Sequence, residues 1–487
     1  MSQLVLADPI HSIKEDTFML KDIYKNPVML TDTYNLSHFR LKANSDWEIS
    51  HIYNRKSGMI LYGLREIVNS VLSIQITKEH VEEAERCAKK MGMPFPTSLF
   101  MRVVEECNGY APISIEALPE GTWCPVGTPF AQIRNTKEGF GELVTWWEAN
   151  FLHAYFPSNC ATEAFYIRKY LEQKKELYGF DDSFFRRVHS YGFRAHRSLE
   201  DAYWAGSAWN LLLHQTDDFH TSQHTPDAVL GGVSAQSHKV TQQFDNEYDS
   251  FVHAIDATYE DGLKVVALLI DTYDANRVIH DYLPSLGRYA KDKGIKIAMR
   301  PDSGDVINQA IEIYEVAKAN DLLDTVSVFI GEGMSFEMMK HYDAILEARG
   351  IPLNFVAYGI GSGFYHHMTR DTLGWAMKTA YSNGKDRMKF GMIPLKRSIP
   401  GEVKVVNIAG KLVVETVNES ERESLYEVIY HHDGIGTPTI QIADEEHWKQ
   451  VRDRIREQEA NQEQIILSDA IQRKIDKFAE QYLAKSV

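Results

Sequence analysis

Hydrophobic and polar positions change rhythm twice along the 487 residues. From about 184 to 382, apolar runs of four to eight residues alternate with amphipathic helical stretches, as a parallel α/β sheet or barrel requires. Eight strands are predicted, near residues 185–193, 211–216, 229–235, 264–270, 295–299, 325–330, 354–359 and 374–381, with helices such as 276–290, Val306–Ala319 and Phe336–Ala348 between them. Eight strands in this alternation predict an irregular (β/α)8 barrel.

The flanks follow another pattern. Residues 1–150 mix strand-like runs (49–53, Ile113–Ala117, 129–133) with helical ones such as Lys78–Lys90, and read as α+β. After Gly384 the alternation stops, 403–406 and 412–414 predict a hairpin around Ala409-Gly410, and a charged helical end runs from Asp444. The expected organisation is a barrel over 151–384 and an α+β domain built from 1–150 together with 385–487.

Charge narrows the partners. Against 52 Lys and Arg stand 68 Asp and Glu, a net −16, so no global positive field exists to neutralise a nucleic-acid backbone or an anionic membrane. Any anionic ligand must be met by a local cluster of Arg and Lys. The longest aliphatic run, at 265–270, is far below the ~18 residues of a membrane span, and the N-terminus has no basic stretch followed by an apolar one. Four cysteines without a C-x-x-C pair suggest reduced thiols and a cytoplasmic setting.

In a parallel barrel the reactive groups gather where strands leave their C-terminal ends. Just past the apolar runs stand Arg194, Asp217, His238, Asp271, Arg300 with Asp302, Gly331-Glu332-Gly333, and Gly359-Ile360-Gly361-Ser362-Gly363. Any one of them can be a helix cap or solvated loop residue. Seven on one rim point to a charged, polyhydroxylated ligand. The glycines let backbone N–H groups approach phosphate oxygens, although neither the G-x-G-x-x-G nor the GxxxxGK[ST] spacing is present. Asp271 and Asp302 could share Mg²⁺ with substrate phosphates or accept from ribose hydroxyls. His238 falls beside Asp271, where a carboxylate can orient an imidazole. His214, His220 and His224 lack the context of a metal motif. No Lys stands at a strand end for a Schiff base, since Lys264 and Lys296 open their strands.

Ordered matches from about 27 to 400 carry a resemblance: Leu30-Thr31-Asp32-Thr33-Tyr34 with His38, Tyr62-Gly63-Leu64, Tyr191-Gly192-Phe193-Arg194, Thr216-Asp217, Val233 to His238, Asp271-Thr272-Tyr273-Asp274, Arg300-Pro301-Asp302-Ser303-Gly304, Gly331-Glu332-Gly333, Gly359 to Gly363, Thr369-Arg370-Asp371 and Lys396-Arg397-Ser398. At these residues the chain resembles the nicotinamide phosphoribosyltransferase family, grouped with nicotinate phosphoribosyltransferases as type II enzymes. The resemblance implies transfer of a phosphoribosyl group from 5-phosphoribosyl-1-pyrophosphate to nicotinamide in NAD salvage, with Mg²⁺, and a homodimer with shared active sites. It places Tyr191, Arg194 and Asp217 at the nicotinamide ring, with Tyr34 from the second subunit. Asp302, Gly331 and Glu332 fall at the ribose, and Arg300, Gly361 and Ser362 at the 5′-phosphate. Arg370, Lys378, Lys389 and Lys396, with Arg55 of the second subunit, fall at pyrophosphate. His238, oriented by Asp271, matches a histidine that ATP can phosphorylate, which makes ATP a coupled co-substrate; Ser237 stands where the family usually has Glu. The alternatives are a nicotinate phosphoribosyltransferase and a non-catalytic barrel that binds NAD-related metabolites.

Overall fold

The computed structural model describes residues 24–41, 45–213, 217–221, 233–361, 368–391 and 393–483. Two sheets organise them. A parallel sheet runs in the order Val188–Ser190, Val356–Ile360, Val326–Ile330, Lys296–Arg300, Val265–Leu269, Ser234–Ala235. An antiparallel sheet runs Lys385–Asp386, Ala376–Ser382, Glu48–Tyr53, Pro129–Asn135, Ile113–Ala117, Glu427–His431, Thr439–Ile440. Strands from both flanks thus share one sheet, in which Glu427–His431 pairs antiparallel with Ile113–Ala117.

Six of the eight predicted barrel strands lie in the parallel sheet, and two do not. Leu211–Leu213 close the helix Leu199–Leu213, which is buried on nearly every face from Ala202 onward. An apolar run inside a fully buried helix has no polar stripe to reveal its period, so it reads like a buried strand. Residues 214–216 lie outside the described residues. The run at 374–381 is a strand, Ala376–Ser382, but it pairs antiparallel with Glu48–Tyr53. Its local pattern specifies a strand and says nothing of which sheet receives it. What the described residues form is therefore a six-stranded parallel α/β sheet, short of an eight-stranded closure.

The helices Lys78–Lys90, Val306–Ala319 and Phe336–Ala348 fall on their predicted bounds. The hairpin Val403–Ile408 to Lys411–Thr416 turns through Ala409 and Gly410, both at positive φ (51° and 79°), the twist a two-residue loop needs.

What positions the site is the inner face of the parallel sheet. Val266, Leu268, Ile297, Met299, Val328, Ile330, Val356, Tyr358 and Ile360 point to the main core. Between them a second, small cluster gathers Ala267, Ala298 and Phe329, with Tyr191, Val233 and Ala357 against it. Strand alternation puts these residues on the opposite face. Three alanines and Gly359 leave that face shallow where barrels are usually filled by branched side chains, so it can hold a ligand.

Candidate active site

Parallel register carries His189 onto the inner face, because it pairs with Gly359 while Val188 pairs with Tyr358 of the core face. Its Nδ1 stands 3.0 Å from Asp217 Oδ2, and both side chains are more than nine-tenths buried. Phe329 packs edge-on against both His189 (centroids 5.3 Å apart) and Tyr191 (5.6 Å). Gly359 makes room for Tyr191, since a Cβ there would lie 2.5 Å from Tyr191 Cδ2 and 2.9 Å from Phe329 Cε1. The Tyr191 backbone N–H donates to Ile360 O at 2.8 Å, and a Cβ on Gly361 would lie 3.5 Å from Tyr191 O. Burial, reinforced by Asp217, pushes the Tyr191 phenol up to about 12 against the pull of Arg300 and Arg194. Tyr191, Asp217, Arg194 and Arg300 therefore share one electrostatic neighbourhood, with Arg194 exposed on the turn Phe193–Ala195. Burial also raises the Asp218 carboxyl to about 6, with Asp217 adding to it and the Phe193 N–H opposing.

Next along the sheet, His238 opens a short helix after Ser234–Ala235. Its Nδ1 lies 3.2 Å from Thr272 Oγ1, and its half-exposed ring places Nε2 4.0 Å from both Asp271 Oδ1 and Asp302 Oδ2. Ser303 donates to Asp271 Oδ2 at 2.5 Å, and Arg300 Nη2 donates to Asp302 Oδ1 at 3.0 Å. Neither aspartate is spent as a helix cap, because Asp274 and Asp305 cap the helices that follow. Asp271 Oδ1 and Arg300 Nε are buried with no hydrogen-bond partner among the described residues, an acceptor and a donor left for a ligand. Gly331 completes this corner; a Cβ there would sit 3.8 Å from Asp302 Oδ1 and 3.9 Å from Arg300 Nε. Glu332 is exposed beside it, while Ser362 lies outside the described residues.

A second group of candidates gathers around the edge of the antiparallel sheet. The Arg55 backbone N–H donates to Leu373 O at 3.0 Å and its Nε to Gly374 O at 3.4 Å, at the end of the helix Arg370–Leu373. Lys378 pairs in register with His51. Burial lowers the Lys378 ammonium, and the charges of Arg55, Lys389 and Arg370 push it the same way against Glu148. Half-exposed Tyr34 is raised by burial, Glu148 and Asp32, with Arg370 opposing. A cavity of about 600 Å³ is lined in part by His38, Glu148, Lys378, Arg387 and Lys389. Lys396 lies exposed on the turn Pro394–Lys396. None of these interactions joins this group to the rim residues. Arg55, Tyr34, Arg370 and Lys378 thus belong to one local group within the chain.

Reading only the residue just past each strand misses His189 and Phe329, whose signal is inward alternation within the strands themselves. It also misses Glu247, the buried first residue of the helix Glu247–Glu260. Burial raises its carboxyl to about 7, with Asp274 and Asp271 adding and the Tyr273 N–H opposing. Of the three spaced histidines, His214 and His224 lie outside the described residues, among which no group of three or more His, Cys, Asp or Glu is placed to hold a metal. All four cysteines are free, and no helix among the described residues is long and apolar enough to cross a membrane.

Residues 187–389 match the model of the nicotinate phosphoribosyltransferase (NAPRTase) family. A protein of Xanthomonas campestris named nicotinamide phosphoribosyltransferase is 24% identical over 378 residues, covering 72% of this chain and 80% of its own. One of the same name from Acinetobacter baylyi is 26% identical over 329 residues, covering 58% and 64%. In fold, the chain is similar to human nicotinic acid phosphoribosyltransferase (TM-score 0.60, 17% identity, 92% of this chain and all of that one). It is also similar to nicotinate-nucleotide pyrophosphorylase of Pyrococcus furiosus (0.59, 17%, 92% and 98%). The stretch that the nicotinate phosphoribosyltransferase family model matches contains His189, Tyr191, Asp217, His238, Asp271, Arg300, Asp302 and Gly331, so the rim described above lies within the part of the chain that is similar to that family.

Proposed function

We propose that this chain transfers the phosphoribosyl group of 5-phosphoribosyl-1-pyrophosphate to nicotinamide, releasing nicotinamide mononucleotide and pyrophosphate in NAD salvage. The observation that carries the reading is the buried Asp217 carboxylate beside Tyr191, on a rim that also presents Asp271, Arg300 and Asp302. A carboxylate accepts from the amide N–H₂ of nicotinamide and repels the carboxylate of nicotinic acid, so the acid is the poorer substrate. The shared name of the two bacterial relatives supports the same choice.

In the reaction the pyridine nitrogen forms a bond to the anomeric carbon as the bond to pyrophosphate breaks, through an oxocarbenium-like state. Tyr191 stacks on one face of the ring, and Arg194 receives the carbonyl oxygen. Asp302 and the Gly331 backbone hold the ribose hydroxyls, and their negative field favours the cationic carbon. Arg300 and Gly361, with Ser362, take the 5′-phosphate. Arg55, Arg370, Lys378, Lys389 and Lys396 take the pyrophosphate, and Tyr34 covers the other ring face. As no interaction among the described residues joins the two groups, the working unit is a homodimer in which one copy supplies the rim and the other the cations. The oxygen donors of Asp271 and Asp302, one of them unpartnered, suit Mg²⁺, which would neutralise the departing pyrophosphate. His238 takes the γ-phosphoryl group of ATP on its imidazole as ADP leaves, and loses it to water as inorganic phosphate, which couples ATP hydrolysis to synthesis.

The test is incubation with phosphoribosyl pyrophosphate and Mg²⁺, with nicotinamide or nicotinic acid, with and without ATP, and chromatography of the nucleotides formed. Nicotinamide mononucleotide is the expected product. Nicotinate mononucleotide in excess moves the chain to the sister activity, and neither product leaves a binding protein.

A further inference from the structure

The contact between His189 and Asp217 assigns a task to a residue that the mechanism above leaves unused. We propose that His189 is a specificity-determining positioning residue: by occupying Asp217 Oδ2 it fixes the plane of that carboxylate and aims the other oxygen, Oδ1, at the amide of the pyridine substrate. The inference rests on the reading given under Proposed function.

Both partners are buried, with side-chain exposures of 6% and 8%, and Nδ1 and Oδ2 are 3.0 Å apart. An ionised carboxylate only accepts, so the imidazole must carry its proton on Nδ1 and donate it. One carboxylate oxygen is thereby committed, the other has no hydrogen-bond partner among the described residues, and a single acceptor in a fixed plane distinguishes an N–H donor from an anionic oxygen.

The imidazole itself is held from two sides. Its strand, Val188–Ser190, is locked in register to Val356–Ile360, with His189 opposite Gly359. Phe329 stands edge-on to its ring at 5.3 Å and to the Tyr191 ring at 5.6 Å. One side chain from the next strand but one thus packs against both the ring that aligns Asp217 and the ring that stacks on the substrate. His189 touches neither substrate nor reacting atoms in this account; it acts through Asp217.

The experiment compares wild type with His189→Ala and His189→Asn, measuring kcat and KM for nicotinamide, for nicotinic acid and for phosphoribosyl pyrophosphate, with thermal melting as the check on folding. Asparagine is the conservative variant because its Nδ2 can take the place of the imidazole Nδ1 as donor. In His189→Ala, KM for nicotinamide should rise on the order of tenfold to a hundredfold, the scale of a lost hydrogen bond to a charged group. KM for phosphoribosyl pyrophosphate should stay put, and the preference for the amide over the acid should narrow by a similar factor. His189→Asn should retain most of that preference. An unchanged amide-to-acid ratio in His189→Ala, an equal rise in KM for both co-substrates, or an Asn variant as poor as the Ala variant would overturn the inference alone. Wild type that makes no nicotinamide mononucleotide would overturn the underlying reading and this inference with it.

Discussion

The rim of the parallel sheet and the cation group at the antiparallel sheet solve opposite problems with opposite means. On the rim almost every charged group has a named partner: Asp217 on His189, Asp271 on Ser303, Asp302 on Arg300. These partners fix orientation, which a site needs where bonds are made and one ring substituent must be told from another. In the second group Arg55, Arg370, Lys378 and Lys389 press on one another, and the Lys378 ammonium is lowered by burial and by those charges. Repelling cations in a chain of net −16 are a local exception to its field, suited to capturing a polyanion rather than orienting it. Geometry does the work in one region and charge in the other.

Variants can break this contrast. The largest effect is expected from Asp302→Ala, which removes an oriented carboxylate and leaves Arg300 without its partner; kcat should fall on the order of a thousandfold with little change in salt dependence. His238→Ala should reduce turnover and abolish any stimulation by ATP, as product formation measured with and without ATP will report. Gly359→Val should cost about ten- to a hundredfold in kcat/KM for nicotinamide and about 1–3 kcal/mol of stability, because its side chain collides with Tyr191 and Phe329. Lys378→Ala should raise KM for phosphoribosyl pyrophosphate roughly tenfold at low salt, with the deficit shrinking as salt screens the wild-type cluster.

The smallest effect sharpens the rim's own electrostatics. Burial raises the Glu247 carboxyl from 4.5 to about 7, so the folded state holds the proton more tightly than the unfolded chain does. Its contribution to stability is therefore fully present below about pH 4.5 and is lost as the pH rises through about 7. Glu247→Gln keeps an acceptor for the Tyr273 N–H and has no charge to bury. Its melting temperature relative to wild type should be higher at pH 8 than at pH 5.5.

What was legible in the sequence follows from the same physics. Helices with a polar face, such as Lys78–Lys90 and Val306–Ala319, announce their bounds because solvent enforces the period. Leu211–Leu213 announced a strand because a helix buried all round has no such face, and 374–381 announced a strand without its partners. Residues just past strand ends were legible because a parallel sheet sends them all to one rim, as His238, Asp271 and Arg300 with Asp302 illustrate. His189 was not, since its role depends on register with Gly359 and on a contact 28 positions away. Nor could the grouping of Arg370 and Lys378 with Arg55 be read, because it follows from the antiparallel pairing of Ala376–Ser382 with Glu48–Tyr53.

The central claim, that one chain's rim works with another chain's cations, can be tested by mixing two inactive variants. Asp302→Ala and Arg370→Ala are each purified, shown to be inactive, unfolded together and refolded as an equal mixture. In a mixed dimer one site carries both defects and the other carries neither, so roughly a quarter of wild-type activity should return. A mixture as inactive as its parents would contradict the account, because it would mean that each chain completes its own site.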